Sequence, residues 1–263
     1  MRSAKITATL IVISIFTAIP AVSYAQDQTR VSKTPAQILQ EADYLVHVEV
    51  TLAKPGAVIG GYYRRNSYLS GFLYQPENET RWFVITASHL KPLADDWHIS
   101  RIKVYIHNQR QLPYDAGLLG YDRRIDTAVL MIIDPNFNFS GRTATLGNSE
   151  NVRVNDLVVS LGSPQGIRYR QLSGRVRDIR FEETVIDKSG NTFPYPLSFI
   201  RHSTNVFHGN SGGPLLNEFG EIIGMNAAAY FFMGRPAAEY AFAIPINDIK
   251  NVLENLIAGE KYD

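Results

Sequence analysis

Cysteine is absent from all 263 residues. That excludes disulfides, thiol nucleophiles and thiolate metal sites, so an apolar core alone must hold the fold. An excess of either charge is missing too. Lys plus Arg number 26 and Asp plus Glu 25, a formal net charge of +1. Nucleic acid and anionic membrane therefore have no electrostatic claim as partners. Histidines and carboxylates do not cluster at ligand spacing, so neither a metal nor another cofactor is expected. Internal repeats and low-complexity tracts are also missing. What is present is an ordinary globular composition, 45% hydrophobic and 11% aromatic, long enough for two domains of about 100–130 residues.

Residues 1–25 read as a secretory signal. Arg2 and Lys5 make a basic start, Ile6 to Val22 is almost wholly apolar, and Ser23-Tyr24-Ala25 offers small residues for cleavage. The alternative is an uncleaved apolar anchor. Cleavage after Ala25 takes the formal charge from +1 to −1, because Arg2 and Lys5 are the segment's only charged residues. The expected mature protein is periplasmic or secreted, from a bacterium, with no stable membrane insertion.

A polar lead-in is expected over 26–41. Leu45 to Val50 reads as a strand and Leu52 to Ser70 as a long surface loop around Arg64-Arg65. Gly71-Phe72-Leu73-Tyr74 and Trp82-Phe83-Val84-Ile85-Thr86 read as strands joined by the turn-forming Pro76-Glu77-Asn78-Glu79. Ile102, Val104 and Ile106 alternate with polar or amphipathic residues, a half-buried strand, and Ala128 to Ile133 is a continuous apolar run. Residues 136–155, rich in Asn, Ser, Gly and Thr, form a connection. Strands at Leu157–Leu161, Arg175–Ile179, Phe199–His202, Glu221–Asn226 and Tyr240–Ile244 then follow. The division is a first β-barrel over 42–135, a second over 156–245 and a helix with tail over 246–263, an all-β fold of two antiparallel barrels. In the helix, Ile249, Val252, Leu253, Leu256 and Ile257 share a face, with Asn247 to cap its start and Gly259 past its end.

The stretch Phe207-His208-Gly209-Asn210-Ser211-Gly212-Gly213-Pro214 carries the chemistry. Glycines let backbone N–H groups approach a ligand closely. Ser211 reads as a nucleophile, with the N–H groups of Gly209 and Ser211 as an oxyanion hole. A serine nucleophile needs a base, and the base an orienting acid. Of six histidines, His89 follows an apolar strand and the small Thr86-Ala87-Ser88, a place from which a ring can be aimed into a cleft. His98 and His107 read as solvated, and His208 as shaping the site rather than serving as base. Asp126 heads the apolar run and can be carried inward, where a buried carboxylate needs donors such as an imidazole N–H. Gly209-Asn210-Ser211-Gly212-Gly213 also fits the Gly-x-Ser-x-Gly elbow of α/β-hydrolases, but no histidine follows His208, as that fold requires.

Thr86-Ala87-Ser88-His89, Asp126-Thr127-Ala128-Val129-Leu130 and Gly209-Asn210-Ser211-Gly212-Gly213-Pro214 resemble the three signatures of chymotrypsin-fold serine proteases, closest to the bacterial HtrA-type branch. Leu146-Gly147-Asn148-Ser149, Leu161-Gly162-Ser163-Pro164-Gln165-Gly166 and Gly220-Glu221-Ile222-Ile223-Gly224-Met225-Asn226 extend the likeness, which runs from about Tyr44 to Ile257. The resemblance implies two six-stranded barrels and a triad in which Ser211 attacks a peptide carbonyl, His89 moves the proton and Asp126 holds the imidazole. It also implies that Asn226-Ala227-Ala228 pair with an unfolded or extended polypeptide substrate, and it is compatible with a homo-oligomer.

Departures qualify the resemblance. Asn210 stands where trypsin-like zymogens carry the aspartate that pairs with a new N-terminus, so activation by that ion pair is not expected. The sequence ends soon after its helix, so no PDZ domain is expected. Asn205 occupies the place of the acidic residue in trypsin-like pockets, so an uncharged side chain before the scissile bond is expected. Arg180 to Pro196 resembles the activating loop of HtrA-type enzymes, and Tyr230 to Pro236 brings aromatics beside the pocket. Two other readings stay open: an inactive protease-fold binding or chaperone module, and an esterase on the same fold.

Overall fold

The polar lead-in contains a helix. Thr34 caps α1 (Pro35–Glu41) by accepting from the Gln37 N–H while the Gln37 side chain accepts from the Thr34 N–H, a complete capping box with proline in the first turn. Only Ile38 of this helix is buried. The computed structural model describes residues 30–56, 61–91, 96–109, 112–183, 197–232 and 235–263, and every helix and strand lies in one unit, Ser32–Asp263. Residues 1–25, read as a signal segment, most of the loop following Arg180 and the aromatic side chains of the Tyr230 to Pro236 stretch lie outside what is described.

The first barrel consists of β1 (Leu45–Pro55), β2 (Tyr62–Tyr74), β3 (Phe83–Ala87), β4 (His98–Ile106), β5 (Tyr114–Asp122) and β6 (Thr127–Ile132). Their order is β5-β4-β1-β2-β3-β6, and β6 pairs back onto β5 to close the ring. The second barrel consists of β7 (Leu157–Gly162), β8 (Arg170–Glu183), β9 (Leu197–His202), β10 (Pro214–Asn217), β11 (Ile222–Phe232) and β12 (Arg235–Pro245), in the order β10-β11-β12-β9-β8-β7, closed by β7 on β10. Neighbours within each barrel are antiparallel. A two-residue strand, β13 (Lys261–Tyr262), adds to β5 in parallel after α2 (Ile246–Ile257). The expected pair of six-stranded barrels with a C-terminal helix is therefore the observed fold.

Closure removes sheet edges, and the inward faces then fill with side chains. Phe72, Phe83, Phe199 and Phe242 are among the largest fully buried residues, and one continuous apolar cluster runs through both barrels and the inner face of α2. Burial of each such ring is worth about 1.5–3 kcal/mol.

Four local expectations need correction. The loop read from Leu52 to Ser70 is mostly strand, because β1 and β2 pair all the way from Leu45↔Phe72 to Pro55↔Tyr62. Residues 62–66 are exposed on both faces, so they show no alternation. Strand β5 went unread because glycines at 117 and 120 interrupt its pattern. Asn247 does not cap α2; Pro245 holds that position, and the Asn247 side chain reaches Ser149 N–H and Asn148 Oδ1 instead. His107 is not solvated: its ring lies against Tyr169, its Nδ1 lies 3.2 Å from the Ala42 carbonyl, and burial lowers its pKa.

The second barrel encloses His202, fully buried with Nδ1 2.9 Å from Thr204 Oγ1, and burial pushes its pKa down to about 3. His47, stacked on Tyr68, is pushed down to about 4 by burial and then by Arg168. A folded-state pKa below the unfolded value near 6.5 means that the unfolded chain takes up the proton first. Stability therefore falls as pH drops below about 6.5, by up to about 1.4 kcal/mol per pH unit for each such group, and is unaffected by them at higher pH. Urea unfolding from pH 7 to 5, where carboxylates contribute little, should show this fall, and His202→Gln should make it shallower. An unchanged slope in that variant would refute the assignment.

Candidate active site

Strand β3 is buried along its whole length and ends in a single 3₁₀ turn, Ser88–Leu90, that lifts His89 to the barrel rim. Its partner β6 starts at Thr127, in register with Ala87. This pairing brings the residue just before β6, Asp126, alongside the residues just after β3. Asp126 adopts a left-handed conformation, φ 45° and ψ 43°, at the end of another 3₁₀ turn, Arg123–Ile125. Aspartate tolerates that region better than most side chains. Its carboxylate is 1% exposed and receives three donors. Ser88 Oγ–H and the His89 N–H reach Oδ1 at 3.1 and 2.9 Å, and His89 Nδ1 reaches Oδ2 at 2.8 Å. A carboxylate collecting donors fixes Nδ1 as the protonated nitrogen and leaves the lone pair on Nε2. The His89 side chain remains 31% exposed. Behind this pair, Lys91 and Arg123 both bind the Asp263 carboxylate, tying the two turns together.

The serine loop is built peptide by peptide. Asn210 N–H donates to Phe207 C=O at 3.0 Å, and Gly209 has φ +100°. A positive φ at the third residue of a four-residue turn, with a negative one at the second, is the type II geometry. Glycine is required there for space as well: a Cβ on Gly209 would lie 2.4 Å from Ser163 C=O. The His208 C=O accepts from Gln165 N–H at 2.7 Å. Since a trans peptide points its N–H opposite to its C=O, the Gly209 N–H is directed away from that loop. The Asn210 C=O accepts from Gly213 N–H at 2.9 Å, which fixes the Asn210–Ser211 peptide. Among the described residues, neither the Gly209 N–H nor the Ser211 N–H donates to a protein acceptor. Ser211 Oγ–H donates to Ala227 C=O at 3.2 Å.

This loop lies directly against the rim that bears His89. The Ser70 N–H donates to Ser211 C=O at 2.8 Å, and a Cβ on Gly212 would fall 2.2 Å from Ser70 C=O and 2.4 Å from Thr86 Oγ1. The structure thus gathers Gly209, Ser211, His89 and Asp126 at the seam of the barrels. The other buried histidines are engaged elsewhere, His47 with Tyr68 and His202 with Thr204. His208 is exposed beside the loop.

The four residues expected to meet substrate are not alike. Asn205 is exposed after β9. Ala227 and Ala228 lie at a bulge of β11, where the register with β12 shifts between Asn226 and Ala228. Such a bulge re-aims the chain. Asn226 is the correction: it is fully buried, and its backbone N–H and C=O are both taken, by Gly213 C=O and Gly212 N–H. Its side-chain amide donates to Gly213 and Pro214 carbonyls. It braces the serine loop from within and has no backbone group left for a substrate. The sequence reading missed Ser70, Ser163 and Gln165, whose polar groups hold this loop; their only signal is the density of small residues around Ser70-Gly71 and Gly162-Ser163.

Comparison with known proteins agrees with this fold. A trypsin-like peptidase domain model matches residues 69–225. The probable periplasmic serine endoprotease DegP-like of Pseudomonas savastanoi pv. phaseolicola is 32% identical over 214 residues, which is 79% of this chain and 38% of that protein. The periplasmic pH-dependent serine endoprotease DegQ of Escherichia coli is 30% identical over 180 residues, 68% of this chain and 36% of DegQ. The chain thus spans little more than a third of these curated relatives. In fold it matches the HtrA-type protease AlgWS227A with decapeptide at a TM-score of 0.66 and 22% identity, over 86% of this chain and 67% of that one. This chain belongs to the trypsin-like peptidase domain family, in its HtrA-type branch.

Proposed function

We propose that this protein is an exported serine endopeptidase that cleaves extended or unfolded polypeptide through Ser211, His89 and Asp126. One observation carries the reading: a histidine locked on a buried carboxylate stands beside a serine loop in which two backbone donors, Gly209 N–H and Ser211 N–H, have no protein acceptor among the described residues. Most backbone N–H groups in a folded protein have a partner, and two unspent ones beside a nucleophile fit a developing oxyanion.

The steps follow from these groups. The Ser211 hydroxyl turns from Ala227 C=O to His89 Nε2, which accepts its proton as Oγ attacks the scissile carbonyl. Asp126 steadies the imidazolium through Nδ1–H. The tetrahedral oxygen is received by the two free N–H groups, each worth about 10²–10³ in rate. His89 then protonates the leaving amine, and water repeats the sequence on the acyl-enzyme.

The substrate's shape is suggested by β11. Strand β10 ends against it at Pro214↔Met225, so the edge of β11 beyond Asn226 has no strand neighbour on that side among the described residues. An extended chain can add there as a further strand, with Ala227 in place of the spent Asn226. The basic, apolar and small-residue pattern of residues 1–25, together with the names of the periplasmic relatives, supports export.

Casein cleavage and fluorophosphonate labelling test the assignment. Ser211→Ala should abolish labelling and lower kcat by about 10⁶. Equal behaviour of variant and wild type would hand the function to a binding module. Asp126→Asn should keep the nucleophile but present the wrong hydrogen to Nδ1, lowering kcat by about 10⁴; a loss under tenfold would remove Asp126 from the relay.

A further inference from the structure

Ser70 is the point where the first barrel grips the serine loop. It sits near the end of β2, is 0% exposed, and uses every polar group it has. Its N–H donates to Ser211 C=O at 2.8 Å, and its C=O accepts from Thr86 Oγ1 at 2.7 Å. Its hydroxyl accepts from Ser163 N–H at 2.9 Å and donates to Gly209 C=O at 2.7 Å. The backbone bonds form with any residue at this position; the two hydroxyl bonds need a short side-chain alcohol.

Four consecutive peptides between His208 and Gly212 define the loop. Gln165 N–H and Gly213 N–H hold the two whose N–H groups are free, and Ser70 holds a carbonyl of each of the other two. Gln165 belongs to the short turn that starts at Ser163, closed by Gly166 N–H on Ser163 C=O. The Ser70 hydroxyl therefore links both sides of the His208–Gly209 peptide. It anchors the start of the turn that holds His208 C=O, and it anchors Gly209 C=O itself. A continuous Ser163 N–H to Ser70 O–H to Gly209 C=O chain also polarises in one direction, which strengthens each bond.

Removing the hydroxyl leaves Ser163 N–H and Gly209 C=O buried without partners. The neighbourhood is tight, since a Cβ on Gly162 would lie 2.9 Å from Ser70 Oγ and one on Gly213 3.0 Å from Ser70 Cβ. Glycine at 209 has the torsional freedom to relieve the strain by rotating, and that rotation carries its N–H out of the site.

We propose that Ser70 is a positioning residue that sets the oxyanion-binding peptide through its hydroxyl, an inference that rests on the peptidase reading above. In Ser70→Ala, active sites are counted by fluorophosphonate burst titration, and kcat, KM and inhibition by a peptide aldehyde are measured. The expected result is a kcat per titrated site lower by about 10–100-fold, below the full loss of one oxyanion donor. KM should stay within about threefold, and aldehyde affinity should weaken by the same factor as kcat/KM. A purely structural role would reduce the number of titratable sites while leaving kcat per site and aldehyde affinity unchanged, and that outcome overturns the proposal. If Ser70→Ala does not fold, Ser70→Cys keeps a weak donor and the same ratio decides. A wild type that neither cleaves casein nor labels at Ser211 refutes the peptidase reading, and this inference with it; an active wild type with an unaltered variant refutes this inference alone.

Discussion

The site depends on an approach of two backbones with nothing between them. Gly212 lies so close to Ser70 C=O and Thr86 Oγ1 that a methyl group would overlap both. At that contact the loop bearing Ser211 meets the strand end bearing His89, one residue from the first and three from the second. Any side chain there would wedge the barrels apart. Because Gly212 N–H is also taken by Asn226 C=O and Ser211 C=O by Ser70 N–H, the contact is hydrogen-bonded from both barrels. Each barrel is closed and therefore rigid, so a fixed seam translates directly into fixed positions for the groups on its two sides.

Electrostatics on the first-barrel side follows from how Asp126 is buried. A carboxylate withdrawn from water costs several kcal/mol unless donors replace the solvent. Ser88, the His89 backbone and the His89 ring supply them. The same three bonds that make burial affordable also fix the imidazole's tautomer and orientation. The left-handed backbone at Asp126 is a strained feature at the proposed orienting acid, held by a 3₁₀ turn before it and a paired strand after it.

Much of this was legible in the sequence because it is periodic or bounded by small residues. The alternation of Ile102, Val104 and Ile106 and the apolar block after Asp126 mark strands that the barrels do contain. Thr86-Ala87-Ser88 before His89 and the glycines around Ser211 announce places where backbones come close. The unread parts lack such signals. The first five residues of β2 are exposed on both faces, so pairing with β1 alone makes them a strand. Helix α1 buries one residue, and its only mark is the Thr34 and Gln37 spacing. Chain position marks Asn226 as a substrate contact because it does not reveal that the backbone groups of this residue are already spent on the serine loop.

Ser70 belongs to this last class, and the reason is general. A nucleophile, a base and an acid are recognisable by type, since few side chains do their chemistry. A loop's shape is held mainly by backbone groups, which are the same in every residue, so the sequence carries almost no record of which pairs form. Here Gln165, Gly213 and Phe207 act on the loop through main-chain atoms, and so does Asn226 where it binds Gly212 N–H. Of the groups that hold the carbonyls of His208, Gly209, Asn210 and Ser211 among the described residues, the Ser70 hydroxyl is the one that belongs to a side chain. It is therefore where substitution can alter the geometry of the proposed oxyanion peptide while leaving Ser211, His89 and Asp126 in place.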